Sequence, residues 1–257
     1  MQGNSRSVST NQLESHEKLT ELVNKYLNSE TQKPIQEHTT DAFQRVQHWL
    51  TQFAGRNIVL DSCCGVGESS WRLAKQYPDA VIVGIDKSLD RLQKHGQQLE
   101  YREYSEHASS ISDDIVNRQT GDEVFFSRDN YCVVRADVID FWRLINQHDW
   151  QVEKHYLLYP NPYPKASQVQ KRWHGTPSFK DILNIGGEIT VRSNWKIYIE
   201  EFAFALTIAG KQPRVIGVTQ QEPFTPLSEN IGTVDNKAGR SAVSFKCQGD
   251  RLTLQTA

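Results

Sequence analysis

The sequence predicts an α/β domain built on a mostly parallel, doubly wound sheet. Three observations carry that prediction. Short apolar runs alternate with helical stretches from Asn57 onward, the first run ends in a glycine-containing turn that opens a helix, and acidic residues recur where successive runs end. A chain of 257 residues can bury one core of this kind.

The elements follow in order. Residues 1–11 are rich in Ser, Asn and Gln and are expected to be disordered. Leu19, Leu22, Val23, Tyr26 and Leu27 fall on one helical stripe, which ends before Pro34. Phe43, Val46, Trp49, Leu50 and Phe53 make a second stripe that stops near Gly55, a C-cap candidate. Residues 1–55 therefore read as a disordered start with a helical appendage, and 56–257 as the main domain.

Within that domain, Ile58-Val59-Leu60 is the first strand and Ser69 to Tyr77 the first helix. Val81 to Asp86 is the second strand, with a helix from Ser88 to about Tyr104. Residues 105–130 are polar and poorly periodic and read as an inserted loop. Tyr131 to Val134 is a strand, followed by a helix carrying Phe141, Trp142, Leu144 and Ile145. His155 to Tyr159 is the next strand, closed by the turn Pro160-Asn161-Pro162-Tyr163-Pro164. A helix with Phe179, Ile182, Leu183 and Ile185, a strand from Glu188 to Ser193 and a helix from Trp195 to Ala209 come next. Val215 to Val218 and Ala242 to Phe245 read as a closing antiparallel hairpin.

Composition narrows the function. Lys and Arg number 29 against 31 Asp and Glu, so a nucleic-acid partner would have to meet a local basic patch. Lys165, Lys171, Arg172, Lys180, Arg192 and Lys196 are the candidates for it, with Tyr163, Trp173 and Trp195 as stacking faces. The four cysteines show no CxxC pair or zinc spacing, so no metal is expected, and adjacent Cys63 and Cys64 read as reduced thiols. No apolar run is long enough to span a bilayer, and the N-terminus lacks the apolar core of a signal peptide. A cytoplasmic location is the expectation.

The chemistry gathers at strand ends, where parallel sheets bind ligands. In Leu60-Asp61-Ser62-Cys63-Cys64-Gly65-Val66-Gly67, the glycines allow a tight turn and close backbone approach. Free amides at the helix start suit the carboxylate of an amino acid. Asp86 ends the second strand about twenty residues on, where a ribose-binding carboxylate belongs, and Asp137 ends the third and suits an adenine amino group. Read singly, Asp86 and Asp137 are also helix N-cap candidates. Dinucleotide binding is the competitor. It requires a three-glycine spacing that this loop lacks, with Cys63 and Ser70 at two of the places.

The loop resembles the first motif of Rossmann-like methyltransferases, with Cys63 in place of a glycine. Tyr159-Pro160-Asn161-Pro162-Tyr163-Pro164-Lys165, with Lys171-Arg172 and then Ser193-Asn194-Trp195-Lys196-Ile197-Tyr198, resembles the tRNA guanine-N7 methyltransferase family. That family carries Pro-Asp-Pro-Trp-Pro-Lys, a His- and Arg-rich stretch, and Thr-Asp followed by an aromatic and a Tyr. The resemblance spans roughly residues 57–210 and implies a Rossmann-like class I methyltransferase acting in tRNA modification. It implies that Asp61, Gly65, Gly67, Asp86 and Asp137 bind S-adenosyl-L-methionine. It also implies that Asn161, Tyr163, Lys165, Asn194 and Tyr198 meet a tRNA or other RNA substrate, with Asn161 the catalytic position.

The departures are Asn161 and Asn194 for two Asp residues, Tyr163 for Trp, and Gln168 and Gln170 near an expected His and basic residue. Thr225-Pro226-Leu227-Ser228 echoes a C-terminal Thr-x-Phe-Glu. Guanine N7 has a lone pair and no proton, so its methylation needs alignment more than a base. A carboxylate can accept from both guanine N1–H and the N2 amino group, whereas an Asn offers one oxygen. Two alternatives follow. Asn161-Pro162-Tyr163 is similar to a shortened Asn-Pro-Pro-Tyr loop of amino-nitrogen methyltransferases, and loss of both carboxylates suits a silent cofactor- or RNA-binding member.

Overall fold

The computed structural model describes residues 8–95, 116–120, 123–217 and 241–246. The chain divides into two compact units, one of Lys33–Tyr156 and one of Met1–Gln32 with Leu157–Ala257. The two N-terminal helices, α1 (Leu19–Leu27) and α2 (Glu37–Leu50), belong to different units.

In the unit Lys33–Tyr156 a mixed sheet runs through β1 (Ile58–Ser62), β2 (Val81–Asp86), β3 (Val116–Thr120), β4 (Glu123–Arg128), β5 (Tyr131–Arg135) and β6 (Val152–Leu158), in the order β3-β4-β5-β2-β1-β6. β1 and β2 are parallel, as are β2 and β5. All six residues of β2 are buried, as a β-branched run covered on both faces requires. The helices are α2, α3 (Glu68–Gln76), α4 (89–95) and α5 (Val138–Gln147).

α2 buries Phe43, Val46 and Trp49, and Phe43 stacks on Trp150 at 4.8 Å and meets Phe141 edge-on at 5.1 Å. Ser62, closing β1, accepts from Trp142 Nε1 at 2.9 Å and so donates to His155 Nε2 at 2.8 Å. Burial lowers the His155 pKa to about 3 and keeps it neutral.

Residues 116–120 and 123–128 differ from the expected loop. They form a hairpin in which β3 pairs antiparallel with β4, and β4 with β5. The cause is the run Val124-Phe125-Phe126, all buried, which the surrounding polar sequence disguises. The expected remainder of the helix after Ser88, and residues 105–115, lie outside the described residues.

The other unit holds β7 (Glu188–Ser193), β8 (Arg214–Gly217) and β9 (Ser241–Lys246) in the order β7-β9-β8, with β9 antiparallel to both neighbours. The closing strands thus pair as expected; their connection, 218–240, lies outside the described residues. Here α1 packs on α6 (Ser178–Ile185) and α7 (Lys196–Ile208). α7 buries Tyr198, Ile199, Phe202, Ala205 and Leu206, so it is a core helix. Parallel central strands, antiparallel additions and surrounding helices make the fold Rossmann-like α/β. Among the described residues no helix is long and apolar enough to cross a membrane, and no group of His, Cys, Asp and Glu could hold a metal ion.

Candidate cofactor and acceptor sites

Between β1 and α3 the chain turns through three left-handed residues: Cys63 at φ 63°, Gly65 at φ 63° and Gly67 at φ 72°. Cys63 adopts the conformation for which glycine is the default, at a cost of roughly 1–2 kcal/mol. The turn is tied down by Cys64 N–H to Ile85 O and Gly67 N–H to Cys64 O, both at 3.0 Å.

Two carboxylates lie under this loop. Asp86 Oδ2 accepts from Gly65 N–H at 3.0 Å, its Oδ1 accepts from Ser88 N–H at 2.8 Å, and Arg91 stands 3.4 Å away. Asp61 is fully buried, and its Oδ2 accepts from the Ser69 and Ser70 hydroxyls at 2.6 and 2.7 Å. Its Oδ1 is buried with no hydrogen-bond partner. Burial raises the Asp61 pKa to about 6, against the lowering by the two serines and with a smaller push from Asp86. The site thus holds an acceptor oxygen lacking a donor.

Ser69, Ser70, Gly84 and His95 support the loop, and the sequence reading missed them. A β-carbon on Gly84 would stand 2.3 Å from Ser70 Oγ, so α3 packs this closely only over glycine. His95 Nδ1 lies 2.9 Å from Val66 O, and the ring meets Phe126 and Tyr131 edge-on. Its burial lowers its pKa, so Nδ1 donates from the neutral ring. A signal existed for the serines alone: two adjacent hydroxyls in the first turn of the helix that follows the glycine turn, eight and nine residues after Asp61.

Asp137 lies two residues beyond β5 and is the N-cap of α5; its Oδ1 accepts from Ile139 N–H at 3.0 Å and Asp140 N–H at 3.3 Å. It is half-buried, unlike Asp61 and Asp86.

The residues read as acceptor-facing all belong to the other unit. Asn161 and Lys165 are exposed, and Tyr163 and Asn194 are half-buried. Asn161 Oδ1 accepts from Tyr163 N–H at 3.4 Å. Tyr159 (φ 54°) and Tyr163 (φ 45°) are both left-handed. The Lys171 ammonium lies over the Tyr163 ring, 5.8 Å from its centre. Tyr198 is fully buried, with its ring edge-on to His174 at 4.9 Å, because α7 is buried on nearly every side.

The expected basic patch is smaller than its sequence list. Arg172 and Arg192 are buried, as is His174, so none of them is a solvated side chain. Trp195 is also buried, which leaves Tyr163 and Trp173 as the partly exposed aromatics. Lys165, Lys171 and Lys196 are exposed, and Lys196 pairs with Glu200 at 2.7 Å. Thr225 to Ser228 lie outside the described residues. Cys63, Cys64 and Cys132 are free thiols.

Among solved structures, the chain is similar to an antibiotic-related methyltransferase at 13% identity and TM-score 0.46, covering 78% of this chain and 94% of that one. It is similar to a 30S ribosomal methyltransferase from an uncultured bacterium at 10% identity and TM-score 0.45, covering 79% and 93%. A comparison with curated proteins finds no match. The family assignment rests on the sequence: residues 55–240 match the family model described as "Putative methyltransferase". That stretch takes in both the glycine turn at 63–67 and the proline-rich loop at 160–164, and the chain belongs to this methyltransferase family, that of the tRNA guanine-N7 methyltransferases.

Proposed function

We propose that the protein is an S-adenosylmethionine-dependent methyltransferase that modifies a base nitrogen of tRNA, with guanine N7 the leading acceptor. The observation that carries the cofactor reading is the buried, unpartnered Oδ1 of Asp61 beneath a glycine turn. A charged amino group is the partner such an oxygen lacks. The Asp86 carboxylate suits a ribose diol, and Gly65 and Gly67 leave backbone bare for close approach. The residues present therefore fit the cofactor, and Asp137 adds an acceptor for an adenine amino group.

When bound, the cofactor supplies an electrophilic methyl group on a sulfonium. The chain's own task is to hold the donor and align the acceptor lone pair, since N7 carries no proton to remove. Asn161 is the group read as nearest the reacting base, Tyr163 as its stacking face, and Lys165 and Lys171 as phosphate contacts.

Comparing modified nucleosides in tRNA from cells with and without the gene tests activity and substrate together. Loss of 7-methylguanosine supports the reading, and an unchanged level removes it. Titration with S-adenosylhomocysteine tests the cofactor separately; a folded protein that binds none would sink the methyltransferase reading. Binding without transfer would favour the silent member. The amino-nitrogen alternative draws on Asn161-Pro162-Tyr163 and expects a different methylated product.

A further inference from the structure

The acceptor loop is held from its buried side by a network that the proposed chemistry does not use. Arg172 donates to Tyr163 O through Nε at 3.2 Å and Nη2 at 3.0 Å, and to Lys165 O through Nη2 at 3.2 Å. Thr10 Oγ donates to the carbonyl between them, Pro164 O, at 2.6 Å. Three consecutive carbonyls are thereby fixed. Thr10 lies inside the segment expected from composition to be disordered.

Arg172 is itself fully buried, and its charge is met by Glu201, also fully buried. Gln12 closes the ring: its Oε1 accepts from Arg172 Nη2 at 2.8 Å, and its Nε2 donates to Glu201 Oε1 at 2.7 Å. His16 N–H donates to Glu201 Oε1 at 2.8 Å, and His174 Nε2 to Oε2 at 3.0 Å. The guanidinium also lies 4.7 Å over the Trp195 ring. Burial raises the Glu201 pKa, but His174 and Arg172 more than offset this and bring it to about 2, so it stays ionised.

A buried ion pair is weak evidence for stability, because desolvation offsets most of its attraction. It does fix geometry. Tyr163, whose carbonyl takes two of the Arg172 bonds, is a non-glycine residue at φ 45°, and such strain persists only where surroundings over-determine it.

We infer that Arg172, Glu201, Gln12 and Thr10 form a positioning framework for the acceptor loop, holding Tyr163 in its left-handed conformation so that its ring and Asn161 meet the base. This rests on the reading of Asn161 to Lys165 as acceptor-facing. The framework acts through the loop and touches no reacting atom.

The test uses Thr10→Val, Thr10→Ser, Gln12→Ala and Arg172→Lys in the full chain, assayed with tRNA well below each variant's melting temperature. Thr10→Val and Gln12→Ala are expected to lower kcat about tenfold, with S-adenosylhomocysteine affinity unchanged. Thr10→Ser restores the hydroxyl and the rate. Arg172→Lys keeps the charge but loses the fork, and is expected to lose more. If it fails to fold, the other variants decide. Wild-type kcat in folded Thr10→Val and Gln12→Ala overturns the inference.

Asn161→Ala and Tyr163→Ala separate the two readings. If both leave transfer unchanged, the acceptor reading fails and the framework falls with it; if they impair transfer while Thr10→Val and Gln12→Ala do not, the framework alone falls. Amide exchange asks the same question without turnover. Thr10→Val and Gln12→Ala should exchange about tenfold faster over 161–168 and unchanged over 62–70; an unchanged rate over 161–168 overturns the inference.

Discussion

The imidazole of His95 fills the space that a side chain on Gly67 would need: a β-carbon there would stand 2.5 Å from Nδ1 and 2.8 Å from Cε1. The same ring holds the Val66 carbonyl, so the last turn of the glycine loop is clamped between backbone and imidazole. Gly67 also sits at φ 72°, which an L side chain resists. Gly67→Ala should therefore displace His95, cost about 1–3 kcal/mol of stability, and weaken S-adenosylhomocysteine binding at least ~10-fold. Thermal denaturation and calorimetry check both. Gly65→Ala, with open space around its β-carbon, should show the backbone cost without the clash.

Asp61 makes stability depend on pH in an unusual direction. Its pKa in the folded chain, about 6, stands above the ordinary 3.8. Between those values the folded chain binds more protons than the unfolded one, so this carboxyl favours folding most below about pH 4 and loses that contribution as pH rises through 6. The loss is on the order of 2–3 kcal/mol. Glu201 runs the opposite way, its pKa lowered to about 2, and its contribution is lost only as pH falls from 4.5 towards 2. The interval from pH 4.5 to 7 also holds the buried histidines. His155, lowered to about 3, and His95 and His174, lowered by burial, stay neutral in the folded chain. Their contribution is lost as pH falls below about 6.5 and opposes that of Asp61. Asp61→Asn keeps an acceptor for Ser69 and Ser70 but carries no charge. It should steepen the rise of the melting temperature from pH 4.5 to 7, raise it at pH 7, and lower cofactor affinity. Unchanged affinity would remove Asp61 from the cofactor site.

Substitution can separate the observed cap role of Asp137 from its proposed adenine contact. As N-cap it accepts from Ile139 and Asp140 N–H, and Asp137→Ala should cost about 1–2 kcal/mol. Asp137→Asn keeps a cap oxygen while losing the second carboxylate oxygen. If that oxygen serves an adenine amino group, Asp137→Asn should melt within about 0.5 kcal/mol of wild type yet bind S-adenosylhomocysteine several-fold more weakly. Equal affinity in both variants leaves the cap as the whole role.

Element positions were legible because apolar runs are read locally: β2 and β7 fall where the sequence places them. The antiparallel pair β3 and β4 was not, since its apolar segment, Val124 to Phe126, sits in a polar stretch and shows no alternation. At the candidate cofactor loop the glycines and strand-end acids could be read from spacing. What holds them could not, because His95 reaches Val66 from 29 residues away. The same distance effect hid the role of Arg172. Its neighbours Lys171 and Trp173 suggest a surface, while its partners Gln12 and Glu201 are 160 and 29 residues off. A buried charge is recognisable only with its counter-charge, and sequence does not show which residues meet.

On the proposed reading, the polarity of Asn161 bears on which base is methylated. Its Oδ1 faces its own loop and accepts from Tyr163 N–H, which leaves the amide nitrogen, a donor, as the group to offer a substrate. Guanine N1–H and its N2 amino group are donors and need acceptors. An Asp at this position would keep one oxygen for Tyr163 N–H and present the other to the base. Asn194, half-buried just after β7, is the second place where a carboxylate would serve. The double substitution Asn161→Asp with Asn194→Asp should therefore raise 7-methylguanosine formation in unmodified tRNA at least ~10-fold, since a charged acceptor adds about 1.5–3 kcal/mol per hydrogen bond. Asn161→Asp alone should give part of the gain. Nucleoside analysis of the methylated tRNA checks this. A double variant that binds S-adenosylhomocysteine normally but makes no more 7-methylguanosine than wild type would show that these positions do not read guanine.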